Sequence, residues 1–322
     1  MAAEWGMRNK KLIGSLAVVG LNLAIFYFLL RWCLENIRLD LLARDFAQMP
    51  LTAVALTVML NLIAIACYAL RLGVLIGRRF RISLPTTFLG FGLNSVLPFR
   101  LGEIAKLYYA KRYFLIPTTS LFAATLVEKL FDLSAVAFLA ALIVTLADIN
   151  VIQKSIVIAL IAVVLAGYAA VLSYRKLAHH IERVAGTSVR VQALLAALRE
   201  QSRLHHLHQI VCYTLVIWVF NTTVIYAGFS GFLPDYPIGL LDAIALLLIS
   251  ALAIVIPTAP AGIGLFEAGF VAYLTQVRGV PNEPALAAAV VFHIVLMVPL
   301  LTAIAWIVLR SRRAPGDEHT PR

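Results

Sequence analysis

The chain has 322 residues, of which 62% are hydrophobic and only 13% are charged, with a formal net charge of +11. A soluble catalytic domain is excluded, because the longest polar stretches, 175–207 and the tail after 309, are far shorter than a domain of about 100 residues. Lys and Arg gather in short loops between apolar segments, among them residues 71–81, which is the positive-inside pattern of membrane proteins rather than a nucleic-acid-binding surface. The composition therefore predicts an integral membrane protein with no nucleic-acid partner.

Six apolar segments are long enough to cross a bilayer: residues 12–30, 51–70, 119–146, 151–173, 208–231 and 284–309. The first of them is too long for the core of a signal peptide, so we expect it to be a retained span. Two further apolar stretches, 84–114 and 239–276, are broken in the middle by Pro and Gly, which predicts re-entrant hairpins or pairs of short spans. The expected fold is an all-α, polytopic membrane helix bundle.

The distribution of basic loops predicts an orientation with both termini in the cytoplasm, in a bacterial-type inner membrane. We expect one membrane domain over residues 1–313, made of two halves, 1–174 and 208–313, and followed by a disordered tail, 314–322. The basic stretch 175–207 between the halves is partly amphipathic. It is either an interfacial helix on the cytoplasmic lipid surface or a solvated connector.

The two broken stretches resemble each other. Residues 97–103 read Leu-Pro-Phe-Arg-Leu-Gly-Glu, and residues 259–267 read Ala-Pro-Ala-Gly-Ile-Gly-Leu-Phe-Glu. The predicted orientation has the chain enter them from opposite faces of the membrane. Two Pro/Gly-broken segments in corresponding places of two halves indicate an inverted repeat with a site at the repeat interface.

The first broken stretch combines helix breakers with charge. Pro98 is expected to interrupt a helix and Gly90, Gly92 and Gly102 to free the backbone, while Arg100, Glu103 and Lys106 recur every third residue and share one helical face. Charged side chains at membrane depth face the protein interior or a water-filled cavity. This stretch is therefore the first candidate for a binding site.

Two carboxylates lie inside the span that follows. Glu128 is about ten residues from the start of its helix, which at about 1.5 Å per residue is near the middle of a roughly 30 Å core. Asp132 follows one turn later, so the two like charges need cations, and Lys129, Arg100 and Lys106 are available, with Arg71 as a further one. Two interpretations stay open: a structural salt-bridge network, and a polar cavity that receives a charged headgroup.

The second broken stretch contains Pro257, Pro260, Gly262 and Gly264, ahead of Glu267. Short half-helices there would aim backbone N–H groups at an anion such as phosphate. Glu267 is either part of that site or a capping carboxylate on the helix it opens. His293, in the last span, is expected to be a packed or hydrogen-bonded histidine rather than a proton relay.

No metal, cofactor or ATP site is expected. The three cysteines lie singly, and His205, His206 and His208 stand at a helix entrance without nearby Cys, Asp or Glu. A nucleophile elbow, a Walker loop and a dinucleotide fingerprint do not occur in the sequence.

The chain resembles the lysylphosphatidylglycerol synthase transmembrane domain family, a flippase-like membrane domain. The resemblance is carried by Asn94-Ser95-Val96-Leu97-Pro98 with Arg100 and Gly102-Glu103, by Glu128-Lys129-Leu130-Phe131-Asp132, and by Pro260-Ala261-Gly262-Ile263-Gly264-Leu265-Phe266-Glu267. The family usually has Glu-Arg at the second block and Pro-Gly-Gly at the start of the third.

The resemblance implies translocation of a lipid between leaflets, either an aminoacylated phospholipid or a polyprenyl- or sterol-like carrier. In two-domain relatives a soluble aminoacyl-transfer domain follows the membrane part. Because no such domain is expected here, we do not expect synthase activity. Charge placement and the resemblance together predict these substrate-binding residues: Asn94, Pro98, Arg100, Gly102, Glu103, Lys106, Glu128, Lys129, Asp132, Pro260, Gly262, Gly264 and Glu267.

Three functions remain open at this point. The first is a flippase-like translocase for membrane lipids with anionic or zwitterionic headgroups. The second is a non-transporting scaffold for an enzyme of lipid or glycan biosynthesis, alone or as a homo-oligomer. The third, a membrane-embedded enzyme that uses paired carboxylates as acid and base, is the weakest because no nucleophile or metal motif accompanies them.

Overall fold

The computed structural model describes residues 49–97, 100–146, 157–170, 189–202, 206–255 and 260–313, with the isolated positions 31, 44, 155 and 173. These residues form helices and connecting turns, without a strand, which confirms the predicted all-α bundle. In chain order the helices are α1 (Leu51–Ile76), α2 (Phe80–Asn94), α3 (Leu101–Phe114), α4 (Thr118–Leu146), α5 (Val157–Ala170), α6 (Val189–Ser202), α7 (Leu207–Phe232), α8 (Leu240–Val255), α9 (Leu265–Arg278) and α10 (Asn282–Arg313), with a 3-10 turn at Pro260–Gly262.

Among the described helices, α1, α4, α7 and α10 are long and apolar enough to cross a membrane. Each contributes 26 residues or more, and at about 1.5 Å per residue this exceeds a hydrocarbon core of about 30 Å. They correspond to four of the six predicted spans. The predicted span 12–30 lies outside the described residues, and of 151–173 the structure describes α5 and the isolated positions 155 and 173.

Helix α1 is longer than the sequence indicated, and this changes the place of Arg71. The predicted span ended at residue 70, which put Arg71 in a basic loop, but the helix continues to Ile76 and ends at Gly77, whose φ of 62° gives a left-handed C-cap. Leu72 and Leu75 are buried in this last stretch. Arg71 is therefore a buried helical residue, and the prediction of a loop there was wrong.

The first broken stretch consists of α2 and α3, which pack closely against each other, while α2 also contacts α1 and α10. Its glycines do not have the predicted role, because the left-handed residue at the break is Arg100, with a φ of 56°. A Cβ on Gly102 would meet the Gly90 carbonyl oxygen and lie 2.5 Å from the Asn94 amide nitrogen. The glycines of α2 and α3 therefore let these two helices approach closely. Pro98, which was predicted to interrupt the helix, lies outside the described residues.

In the second broken stretch, glycine does supply unusual backbone angles. Gly262 and Gly264 have φ values of 75° and 88°, and Ala261 between α8 and α9 has a φ of 54°. Pro257 lies outside the described residues. Helices α8 and α9 pack against each other, as α2 and α3 do, but an inverted repeat and re-entrant paths remain predictions.

Two apolar cores hold the bundle together. The larger one includes Phe229, Phe270 and Phe292 from α7, α9 and α10. The smaller one joins α1, α3, α4 and α7 through residues such as Leu72 and Leu121. The most extensive packing is between α1 and α7, one from each predicted half.

The stretch between the predicted halves is described at α6, which packs against α4. The Gln201 side-chain amide at its end donates a hydrogen bond of 2.7 Å to the Leu75 carbonyl near the end of α1. This contact holds α6 against the bundle, while residues 175–188 and 203–205 of the predicted connector lie outside the described residues, as does the tail 314–322.

We expect Gly102→Ala to destabilise the protein by about 1–3 kcal/mol, because the added methyl group has to push α3 away from the α2 backbone. The matched control is Ile104→Ala on the same helix, whose side chain is exposed and whose truncation should change stability by less than about 0.5 kcal/mol. Denaturant unfolding in detergent micelles measures both. Equal stability of Gly102→Ala and wild type would contradict the close-packing role.

Candidate functional site

Helices α1, α2, α3 and α4 line a small, partly open polar cavity of about 20 Å³, which is room for about one water molecule. Six charged side chains line it together with Tyr68, Thr87, Gly90 and Phe91. The charged ones are Arg71 from α1, Glu103 and Lys106 from α3, and Glu128, Lys129 and Asp132 from α4. The structure thus brings together five of the predicted site residues and adds Arg71.

Arg71 is the centre of this arrangement and is 0% exposed. Its Nη1 donates hydrogen bonds of 2.8 Å to Asp132 Oδ1 and 2.9 Å to Thr214 Oγ1. The guanidinium carbon lies 5.2 Å from the centre of the Tyr68 ring, one turn earlier on α1, within cation–π range. One side chain from α1 therefore binds α4 and α7 at the same point.

The six charges alternate in sign along a chain of ion pairs. Lys129 Nζ lies 3.4 Å from Glu103 Oε1, and Glu103 Oε2 lies 3.8 Å from Lys106 Nζ. Lys106 Nζ is then 3.4 Å from Glu128 Oε2. The chain of pairs starts and ends on α4, and its formal net charge is zero.

The chain of pairs continues through Arg71 and ends at Asp132. Its Nε lies 3.9 Å from Glu128 Oε1, and its Nη1 is bonded to Asp132. Among the described residues, Arg71 and Lys106 thus each lie between two carboxylates, whereas Lys129 pairs with one. We call the six side chains the charge ring.

Burial differs around the charge ring. The side chains of Lys106 and Glu128 are each 8% exposed, whereas that of Lys129 is 43% exposed. Transfer of an isolated charge from water to such an interior costs several kcal/mol, and pairing offsets this cost only where the geometry is good. The pair between Lys129 and Glu103 is the most exposed link and the one that is easiest to open.

Several polar atoms at the cavity lack a hydrogen-bond partner among the described residues. They include Nε and Nη2 of Arg71, Oε2 of Glu103 and Oγ1 of Thr87, all buried. The distances of 3.8 and 3.9 Å from these atoms to their ionic partners are too long for hydrogen bonds. Buried polar groups normally have partners, so these atoms are suited to receive an additional polar group.

Arg100 and Asn94 flank the charge ring but do not line the cavity. Arg100 precedes α3 in a left-handed conformation, and its charge acts on Glu103. Asn94 ends α2 next to Gly102, and its Oδ1 is buried without a hydrogen-bond partner among the described residues. Of the first broken stretch, only Glu103 and Lys106 thus reach the cavity among the charged residues predicted for it.

Glu267 lies apart from the cavity and has partners of its own. The Gly264 backbone N–H donates a hydrogen bond of 2.6 Å to Glu267 Oε2, which confirms the capping interpretation. Glu267 Oε1 is 2.5 Å from His293 Nδ1, and both residues are buried. The expectation of a hydrogen-bonded His293 is therefore confirmed. The predicted residues of the second stretch do not share a site with the charge ring.

A separate polar cluster around Asp242 joins the start of α8 to the end of α9. Asp242 accepts hydrogen bonds of 2.7 Å from the Gly239 N–H and from the Tyr273 hydroxyl, and its Oδ2 lies 3.4 Å from Arg278 Nε. Arg278 also donates to the Pro237 carbonyl. This arrangement satisfies every charge locally, so we regard it as structural.

The sequence did not identify Tyr68 and Thr214 as residues of the site, and it indicated Arg71 only as a further cation for the two carboxylates. A signal for Arg71 was present, since Leu-Gly-Val-Leu-Ile directly after it continues the apolar run. Tyr68 and Thr214 had no comparable signal, because an aromatic or hydroxyl side chain inside a span is ordinary.

The match to a known family covers most of the chain. The sequence model of the lysylphosphatidylglycerol synthase TM region matches residues 13–304, which include both broken stretches and the charge ring. The chain belongs to the lysylphosphatidylglycerol synthase TM family. A comparison with curated proteins found no match.

Membership of this family, together with the apolar helices, makes the chain a multi-pass integral membrane protein. The two departures from the family pattern have structural counterparts. Lys129, in place of the usual Arg, pairs with Glu103 and with no other carboxylate in the part of the chain that the structure describes. Ala261, in place of the usual Gly, holds a φ of 54°, a conformation that costs a residue with a Cβ roughly 1–2 kcal/mol.

We expect Arg71→Met to lower the free energy of unfolding by about 3–5 kcal/mol, because it leaves the partly buried Asp132 without its cation and removes one of the two cations that face the buried Glu128. Lys129→Met removes a half-exposed member of the same charge ring and should cost no more than about 1 kcal/mol. Unfolding of both variants in detergent gives the comparison. Similar losses of unfolding free energy from the two substitutions would show that the burial of an ion pair does not determine how much the pair stabilises the protein.

Proposed function

We propose that this protein is a non-enzymatic lipid translocase, which moves a lipid with a charged headgroup between the leaflets of a bacterial inner membrane. The candidate lipids are a phospholipid, an aminoacyl-phospholipid or a polyprenyl-linked lipid. The observation that carries the proposal is the charge ring: six charged side chains of zero net charge around a polar cavity in an apolar bundle. Family membership supports it.

The energetics of the charge ring support a binding role. A buried ion pair is often no more stable than apolar residues of the same volume, so stability alone gives little reason for three cations and three carboxylates in this place. A group of alternating charges can, however, exchange partners with a ligand that carries a phosphate. When a phosphate takes the place of a carboxylate at one cation, that carboxylate either stays paired with a second cation or becomes free to bind an amine.

Arg71 and Lys106 are the cations that would bind the phosphate. Arg71 has two N–H-bearing nitrogens, Nε and Nη2, without a hydrogen-bond partner among the described residues. These two nitrogens form one edge of the planar guanidinium, which matches two phosphate oxygens. Glu103, Glu128 and Asp132 would balance the charge and bind the amine of a zwitterionic headgroup.

The size of the cavity implies movement. A cavity of about 20 Å³ holds about one water molecule and is too small for a headgroup. The pair of Lys129 and Glu103 joins α3 to α4 and is the most exposed link. We propose that this link opens first and that α2 and α3, which are packed together through Gly90 and Gly102, move as a unit.

The experiment is leaflet exchange of fluorescent lipids in proteoliposomes. It compares phosphatidylglycerol, an aminoacylated phosphatidylglycerol and a polyprenyl phosphate. We expect lipid-selective exchange by wild type and at least a tenfold loss in Glu128→Gln, equal to about 1.4 kcal/mol in the barrier, because the amide cannot pair with Lys106 and Arg71.

Asp242→Asn is the matched control, since Asp242 is also a buried carboxylate but lies outside the charge ring. It should exchange lipid like wild type. Unchanged lipid exchange by a folded Glu128→Gln variant would contradict the proposal that the charge ring is the lipid-binding site. Failure of folded wild type to exchange any of the three lipids would favour a scaffold for lipid biosynthesis instead.

A further inference from the structure

A seam between α3 and α4 leads outward from the charge ring. The two helices are antiparallel neighbours, joined by the short turn at 115–117, and the pair of Glu103 and Lys129 connects them. On the outer side of this pair both helices expose apolar side chains at helical spacing: Ile104 and Tyr108 on α3, and Phe122 and Leu126 on α4. We call these four side chains the seam stripe. The protein itself leaves this surface uncovered.

The ion pairs determine the direction in which the seam stripe faces. Lys106 pairs with Glu128 inside the bundle, and Glu103 pairs with Lys129 at the bundle surface. On both helices the seam stripe continues this order outward, since successive residues of an α-helix are rotated by about 100°. The seam stripe therefore faces out of the bundle on the same side as the half-exposed side chain of Lys129.

The seam stripe lies at membrane depth. Lys129 is about 17 Å along α4 from Thr118, at about 1.5 Å per residue, which is near the middle of a hydrocarbon core of about 30 Å. A half-exposed ammonium group at this depth is costly, and Lys129 has one carboxylate partner among the described residues. A phosphate that moved inward along the seam would supply a second partner.

Two cations stand at the other end of the seam stripe. Lys111 and Arg112 lie in the last turn of α3 and are exposed, about 12 Å along the helix from Glu103. Residues 104–127 contain no Asp or Glu, so this part of the two helices supplies no carboxylate to these cations. An exposed apolar stripe that ends at two cations matches the acyl chains and the phosphate of one phospholipid.

We propose that the seam stripe binds the acyl chains of an anionic phospholipid whose phosphate lies on Lys111 and Arg112. This lipid comes from the leaflet on the side of the turn between α3 and α4. The site rests on the proposed function and deepens it, because the substrate is then an anionic phospholipid that enters the charge ring from the side, with its acyl chains left in the bilayer. Lys129 is the first cation of the charge ring that its phosphate reaches.

The alternative occupant is a bulk lipid, which contacts any exposed apolar surface of a membrane helix without preference for its headgroup. Helix α7 has such a surface, with Leu215 and Val219 exposed. The sequence of α7 contains neither Lys nor Arg. It is therefore a control surface within the same protein.

The test is photo-crosslinking of the full chain in phosphatidylcholine nanodiscs that contain a trace of lipid with a diazirine in one acyl chain. The labelled lipid is phosphatidylglycerol in one sample and phosphatidylcholine in the other, and mass spectrometry maps the crosslinks. We expect phosphatidylglycerol to label residues 101–133 at least about fivefold more, the contribution of a single cation near an anionic headgroup, and both lipids to label α7 equally. Equal labelling of residues 101–133 by the two lipids would overturn the proposal.

The deciding variant is Lys111→Gln with Arg112→Gln, which should abolish the preference for phosphatidylglycerol. The matched control is Arg78→Gln with Arg79→Gln, which removes two exposed arginines from the turn between α1 and α2, at the same end of the bundle but away from the seam. This control should keep the preference. Equal losses in the two variants would show a general effect of surface charge and would also overturn the proposal.

The wild-type comparison between residues 101–133 and α7 needs no substitution, so it decides the proposal even if a variant does not fold. Crosslinking measures lipid binding and not exchange between leaflets. A protein that exchanges lipid without a preference at the seam would keep the proposed function and overturn the seam site. A seam that prefers phosphatidylglycerol in a protein that exchanges no lipid would keep the seam site and overturn the translocase.

Discussion

Neutralisation of the buried Arg71 guanidinium is the constraint on which the rest of the structure depends. A cation that is 0% exposed has to be surrounded by acceptors, and the acceptors come from two other helices, through Asp132 on α4 and Thr214 on α7. These bonds fix the rotation of three spans around one point. Glu128, one turn from Asp132, is thereby directed to the same cavity, where it requires Lys106 as a second cation.

The broken stretch of α2 and α3 supplies that second cation, and glycine is what allows it to do so. Gly90 contacts the aliphatic part of Lys106, and Gly102 lies against the backbone of α2, so the two short helices approach closely enough to bring the Lys106 ammonium to Glu128. The same stretch carries Glu103, whose pair with Lys129 closes the cavity on its exposed side. Packing and electrostatics therefore act together, and opening the cavity requires both to change.

The sequence predicted the parts of the candidate site better than their assembly. Helical periodicity correctly placed Lys106 and Glu103 on one face and Glu128 and Asp132 on another, because spacing within a helix is a local property. The partners of these residues depend on how helices pack, which is why Arg71 was assigned to a loop and Glu267 was grouped with the charge ring. The glycines of the first broken stretch were misjudged for the same reason. In a single sequence, a glycine that allows two helices to approach looks the same as a glycine that frees the backbone.

The central claim is that a phosphate headgroup opens the charge ring, and accessibility of the buried side chains that line the cavity tests it most directly. Thr87 lines the cavity and is buried, so Thr87→Cys, with the native cysteines replaced, should react slowly with a small water-soluble thiosulfonate reagent. Addition of phosphatidylglycerol should raise the rate, whereas diacylglycerol, which has no headgroup, should not. Equal rates with both lipids, in protein that remains folded, would contradict an opening driven by the headgroup.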